Sequence, residues 1–220
     1  QQGGSFALIS LDLDNFRHIN DTLGHKIGDA VLVAIARRLS DSLTPQDMLV
    51  RVAGDQFVVM MPSASANEII QHARQLLSTA AAPLQIEHYV LLLTASIGVV
   101  WSPQNGAESR LLLQNAEIAM YRSKYRGRNQ VTCFDDNMRT ELERQTGLTQ
   151  ALRLALESKR DLRLVFQPQF SLVDRHLTGA EVLLRWRHPQ LGDISPAEFV
   201  PLAEQAGLLG LLDRFVMEQA

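Results

Sequence analysis

The chain has 220 residues, 46% hydrophobic and 20% charged, a balance that can bury a core and excludes a disordered chain. Its net charge of −3 supplies no basic field for nucleic acid or an anionic membrane. The single cysteine, Cys133, excludes an internal disulfide and points to a reducing, cytoplasmic compartment. The longest apolar run is broken by Thr94, Ser96 and Gly98, so no membrane contact is expected from this segment.

FALISLDL (6–13) is an apolar run of strand length ending in carboxylates. GDAVLVAIARRLSDSL then places Val31, Ala34, Ile35, Arg38 and Leu39 at helical spacing, until Pro45 ends the pattern. LVRV and FVVMM flank AGDQ and predict a hairpin with Gly54 in its turn. Asn67 is placed to cap a helix through Ile69, Ile70, Ala73, Leu76 and Leu77, which Pro83 terminates. PLQIEHYVLLLTASIGVVW predicts one or two strands, AESRLLLQNAEIAMYRSKYRG a helix closed by Gly127, and QVTCF another strand with Cys133 buried in it. Strands and helices in this order predict an α/β fold whose mixed central sheet is wrapped by helices and closes near Phe134.

The next stretch carries Met138, Leu142, Leu152 and Leu156 at helical spacing and predicts a connecting helix, with Gly147 as its weak point. LRLVFQPQF and HLTGAEVLLRW are strands again, and SPAEFVPLAEQAGLL opens a helix with Ser195 as cap and Pro196 as its first residue.

Asp12 and Asp14, two apart on a strand, point to one face. If the hairpin lies beside that strand, Asp55 at its tip converges on Asp12. Two carboxylates, a backbone carbonyl and water make an oxygen-only site suited to magnesium. Lys124 and Arg128, four apart at a helix end, lie on one face and can hold phosphates. Each feature alone also has a purely structural reading, as a turn former or a complement to a helix dipole.

LDLDNFRHINDTLGHKIGDAVL, RVAGDQFVV, TASIGVV and AMYRSKYRGRNQV resemble, in order, the GGDEF family of diguanylate cyclases. The resemblance implies a nucleotide-cyclase-like palm. It implies that Asp12, the backbone carbonyl of Leu13, and Asp55 bind Mg (or Mn). It further implies that Asn20 and Asp29 hold the guanine of GTP, that Lys124 and Arg128 bind its phosphates, and that Gly54 belongs to the nucleotide-binding site. Catalysis by Asp55 and the residue at 56 would join two GTP into cyclic di-GMP across an antiparallel homodimer. The signature here reads Ala53-Gly54-Asp55-Gln56-Phe57. Alanine at 53 would be strained at positive φ, and Gln56 removes a negative charge beside the cations. Arg-x-x-Asp, the family's product-inhibition motif, falls on Thr44-Pro45-Gln46-Asp47 without its arginine. These departures predict that GTP binding survives better than catalysis.

LVFQPQFSLVDRHLTGAEVLLRWRHPQLGDISPAEFVPLAEQAGLL resembles the opening of the EAL family of cyclic di-GMP phosphodiesterases, a TIM-like barrel. Glu181, a carboxylate inside an apolar strand, is costly unless paired or metal-bound, and Arg185 shares its face. A structural Glu–Arg pair is one reading; the resemblance makes Glu181 a metal ligand and Gln167, Leu183 and Arg185 contacts to cyclic di-GMP. The two resemblances imply a degenerate GGDEF domain (1–135) that binds GTP and, through a helical connector (136–160), regulates an EAL domain expected to be truncated here (161–220) and, in a full-length parent, to hydrolyse cyclic di-GMP to linear pGpG. Alternatives are an active diguanylate cyclase and a non-enzymatic nucleotide receptor or dimerisation scaffold.

Overall fold

A computed structural model describes residues 5–62 and 65–220. The chain divides between Arg139 and Thr140 into two compact units.

In the first unit a five-stranded sheet has the order β2-β3-β1-β6-β7. The central strand β1 (Phe6–Leu13) runs antiparallel to β3 (Gln56–Pro62) on one side and to β6 (Ala95–Ser102) on the other. β2 (Met48–Ala53) pairs antiparallel with β3, and β7 (Gln130–Cys133) is parallel to β6, so the sheet is mixed. Strand alternation divides β1 cleanly. Ile9, Leu11 and Leu13 join Phe57, Val59, Ile97 and Val99 in the main core, which also takes Ile35 and Leu39 of α2 (His25–Asp41) and Ile69 and Ala73 of α3 (Ala66–Ala81). Ser10 and Asp12 face the other way, toward Met120 and Lys124 of α4 (Ser109–Tyr125). Arg38 of α2 donates to the carbonyls of Thr79, Ala82 and Pro83, satisfying the open end of α3. β2 is an edge strand, and its Met48, Val50 and Val52 are exposed.

Several elements differ from the sequence-based expectation. FRHINDTL forms α1 (Phe16–Leu23), which lacks the long apolar stripe that periodicity detects; only Phe16 is buried. The cap of α3 is Ser65, not Asn67: Ser65 Oγ accepts from the Glu68 N–H while the Glu68 carboxylate accepts from Ser65 N–H, a reciprocal capping box. Between Pro83 and Ser102 there are three strands, β4 (Leu84–Ile86), β5 (Tyr89–Leu91) and β6, because a tight turn folds the first two into a small hairpin. Cys133 is half-buried, and burial pushes its thiol up.

The second unit holds α5 (Asn137–Ser158, whose first residues precede the division), strands β8 (Leu162–Phe170), β9 (Leu177–His188) and β10 (Gly192–Ile194), and helices α6 (Pro196–Gln205) and α7 (Leu209–Gln219). α5 is continuous through Gly147, and its buried stripe is Leu148, Leu152, Ala155 and Leu156 rather than one reaching back to Met138. The strands form an antiparallel sheet of order β10-β9-β8. Trp186 is buried edge-on to Phe199, ring centres 5.7 Å apart. Ser195 caps α6 as expected.

α4 rests directly on β6. A Cβ at Gly98 would lie 2.1 Å from the Ala116 carbonyl oxygen and 2.4 Å from the Met120 nitrogen, both backbone atoms. Gly98→Ala is expected to destabilise the chain by about 1–3 kcal/mol, as overpacking typically does, read by urea unfolding.

Candidate functional site

The site assembles where β1 ends beside the β2–β3 turn. Ala53 pairs with Gln56, leaving Gly54 and Asp55 as a two-residue loop. Gly54 takes φ +51, a conformation in which glycine is unstrained, and its carbonyl accepts from Arg51 Nε at 2.8 Å. Ala53 itself is not at positive φ, so the strain anticipated there is absent: the left-handed step falls one residue later. In register Gln56 lies opposite Asp12, and Leu13 N–H donates to the Asp55 carbonyl at 3.3 Å. The hairpin tip is therefore tied to the end of β1, and Asp12 and Asp55 are close enough to repel.

Asp12 is the electrostatic centre. Burial raises its carboxyl above the ordinary 3.8; Lys124 opposes that shift, and the neighbouring Asp55 and Asp14 reinforce it. Lys124 Nζ stands 2.5 Å from Asp12 Oδ1, an ion pair that offsets part of the cost of burying the carboxylate. Among the described residues no group of three or more His, Cys, Asp or Glu side chains forms a metal cage. The oxygen donors nearest the junction are the carboxylates of Asp12 and Asp55, a hard set of the kind that could hold a divalent cation completed by other oxygen ligands.

Lys124 and Arg128 do not share a helix face. α4 ends at Tyr125, where Gly127 N–H bonds to the Lys124 carbonyl and Arg128 N–H to the Ser123 carbonyl, the two bonds of a Schellman turn. Gly127 at φ +110 allows it, and Arg128 follows at φ +65, exposed and off the helix. Asn129, also left-handed, is pinned by its N–H donating to Asp14 Oδ2. Asp14 has no assigned role in the sequence reading, yet it is 4% exposed and also accepts from the Thr94 and Ser96 hydroxyls. The sequence signal was available: a second carboxylate on a buried face demands several donors.

Asn20 packs against Gly28, the residue before Asp29. The Asn20 side chain fills the space a Cβ would take at Gly28, lying 1.9 Å from that position, and Asp29 is the next residue on α2.

In the second unit Gln167 is directly opposite Glu181, while Glu181, Leu183 and Arg185 alternate onto one face of β9. Glu181 is exposed in this chain, as are its neighbours Phe166 and Gln167. Arg185 donates to the Leu184 carbonyl, and a Glu181–Arg185 ion pair is not among the salt bridges of the described residues.

The family model for the diguanylate cyclase GGDEF domain matches residues 1–130, and that for the EAL domain matches residues 149–220. The chain belongs to the GGDEF family, and the EAL segment places it among GGDEF/EAL signalling proteins. It is 36% identical over 215 residues to the bifunctional diguanylate cyclase/cyclic di-GMP phosphodiesterase MucR of Pseudomonas aeruginosa, covering 98% of this chain and 31% of the relative. It is 34% identical over 219 residues to the cyclic di-GMP phosphodiesterase NbdA of the same organism, covering 100% of this chain and 28% of that one. The chain thus spans less than a third of the length of these curated relatives. Among solved structures, the isolated GGDEF domain of YfiN (TpbB) from P. aeruginosa superposes with a TM-score of 0.61 at 31% identity, over 64% of this chain and 83% of that one. An EAL/GGDEF domain protein from M. capsulatus gives 0.57 at 34% identity, over 61% and 88%. No helix among the described residues is long and apolar enough to cross a membrane.

Because the folded-state carboxyl of Asp12 lies above its unfolded value of 3.8, its ionisation opposes folding. The stability it withholds grows as pH rises through and beyond that value. Asp12→Asn in EDTA should therefore melt higher relative to the native chain at pH 7 than at pH 3.5. Added Mg²⁺ should raise the melting temperature of the native chain but not of the variant, as scanning fluorimetry would show.

Proposed function

We propose that residues 1–135 form a GTP- and divalent-cation-binding GGDEF domain with weak or no cyclase activity. Residues 136–160 connect it to residues 161–220, part of an EAL domain that in the whole protein hydrolyses cyclic di-GMP to linear pGpG. The observation that carries the proposal is the Asp12–Asp55 oxygen site at the β1–hairpin junction, with Lys124 beside it and a neutral amide at 56. Asp12, Asp55 and the Leu13 carbonyl would hold the cation, whose chemistry is to neutralise phosphate charge. Asn20 and Asp29 would orient the base, and Lys124, Arg128 and the Gly54 backbone would meet the phosphates, the Arg128 turn being braced through Asp14. With a glutamine in place of a carboxylate beside the cations, the site holds a nucleotide better than it drives transfer. In the EAL segment Glu181 would be a metal ligand, and Gln167, Leu183 and Arg185 would contact cyclic di-GMP.

Two further observations shape the reading. Asp47, which would remain of the product-inhibition motif, accepts from both the N–H and the hydroxyl of Thr44 at 2.8 Å. It is committed to its own turn, in keeping with a loss of feedback inhibition. For regulation, GTP must favour one arrangement of the two domains over another, a coupling that MucR-like and NbdA-like relatives would share only if their geometry matched.

A second reading, an active diguanylate cyclase, draws support from the unstrained backbone of Ala53. In that case two GTP would yield cyclic di-GMP and two pyrophosphates across a homodimer.

Calorimetry of the chain with GTP and Mg²⁺ is expected to give saturable binding. Gly28→Ala, which displaces the Asn20 amide, should weaken it by about 1–2 kcal/mol, the cost of a lost polar contact; folded chain that gives no heat would sink the proposal. Chromatographic product analysis separates the two readings. Gln56→Glu should raise cyclic di-GMP formation severalfold from a near-zero level, with little added by Ala53→Gly. A native chain already turning over at the variant's rate establishes the active cyclase instead.

A further inference from the structure

We infer that Ser10 is a positioning residue for the cation site, holding the Gln56 amide so that its oxygen, not its nitrogen, is offered to the ion. The inference rests on the reading of the Asp12–Asp55 junction as a cation site.

Ser10 lies in the middle of β1, between Val58 and Gly98 in register, and is 1% exposed. It stands two residues before Asp12 and so shares its face. Its single hydroxyl proton is directed to Met120 Sδ at 3.3 Å, which leaves only lone pairs for any other neighbour. Gln56 Nε2 takes up that acceptor at 3.2 Å. Since Gln56 pairs with Asp12 in register, its side chain must lean diagonally back along the sheet to reach Ser10.

An amide has two chemically different ends, and hydrogen-bond partners decide which way it points. With its proton toward the Met120 sulfur, the Ser10 hydroxyl accepts from the Gln56 nitrogen, which seats that end of the amide against β1. With its nitrogen held at Ser10, the Gln56 amide has Oε1 as its remaining polar atom, on a residue that pairs in register with Asp12. Hard divalent cations take oxygen donors; the reversed amide would present an NH₂ group, which repels them. Ser10, backed by Met120, thus makes a neutral side chain at 56 serviceable as an oxygen ligand.

The test is a titration of the 220-residue chain with Mn²⁺, free ion being read by electron paramagnetic resonance. Ser10→Ala should raise the Mn²⁺ dissociation constant about tenfold, the lower end of the range for losing a partner that orients a ligand. Ser10→Cys keeps the shape but replaces the oxygen acceptor with a poor one, and it should lose affinity in the same direction; it carries the test if the alanine variant does not fold. In a Gln56→Ala background neither change at Ser10 should have any further effect, a result that a merely structural serine would not produce. Unchanged Mn²⁺ affinity, or an equal loss with and without Gln56, overturns the inference while leaving the cation site standing. Native chain that takes up no Mn²⁺ overturns the cation site itself, and the role of Ser10 with it.

Discussion

The packing of α4 on Gly98 governs the candidate site. With no side chain at that point of β6, the helix backbone settles against the strand, close enough that Ser123 Oγ donates to the Ile97 carbonyl and Ser10 reaches Met120. One turn past Met120 the same helix delivers Lys124 to Asp12. The Schellman turn then reverses the chain so that Asn129 falls on Asp14. Asp12 near the end of β1 and Asp14 in the turn beyond it are thus met by consecutive parts of one helix-and-turn, Asp12 by the Lys124 ammonium and Asp14 by directed hydrogen bonds.

That difference separates a structural group from a reactive one more sharply than residue type does. Asp14 is a buried ion made tolerable by three directed hydrogen bonds and ties β1 to β6 and to the turn before β7. Asp12 is compensated mainly by the ammonium of Lys124, which is itself 32% exposed. Gln56 fits the same pattern, since its nitrogen is engaged by Ser10 and its oxygen is not.

Much of the first unit was legible because its elements carry strong local signals. The apolar run of β1, the GD turn between two β-branched runs and the glycine stop after α4 each specify a structure through their own chemistry. What escaped was non-local or ambiguous. α1 is mostly polar and is held by packing rather than periodicity. Ser65 and Asn67 are both competent caps, and only the reciprocal bond to Glu68 decides between them. A four-residue spacing could place Arg128 beside Lys124 only if the helix continued, and Gly127 ends it. The candidate site was legible in its carboxylates and hairpin, whereas Ser10 and Asp14 carry no motif and are recognisable only once their partners are in place.

The position of β2 at the margin of the sheet has a kinetic consequence. Its outer backbone groups lack a neighbouring strand and its Met48, Val50 and Val52 have little covering them, so it is the strand whose amides should exchange with deuterated solvent soonest. Asp55 follows this border strand, but its carbonyl is held by the Leu13 N–H, so loosening of β2 is checked at the turn that faces Asp12.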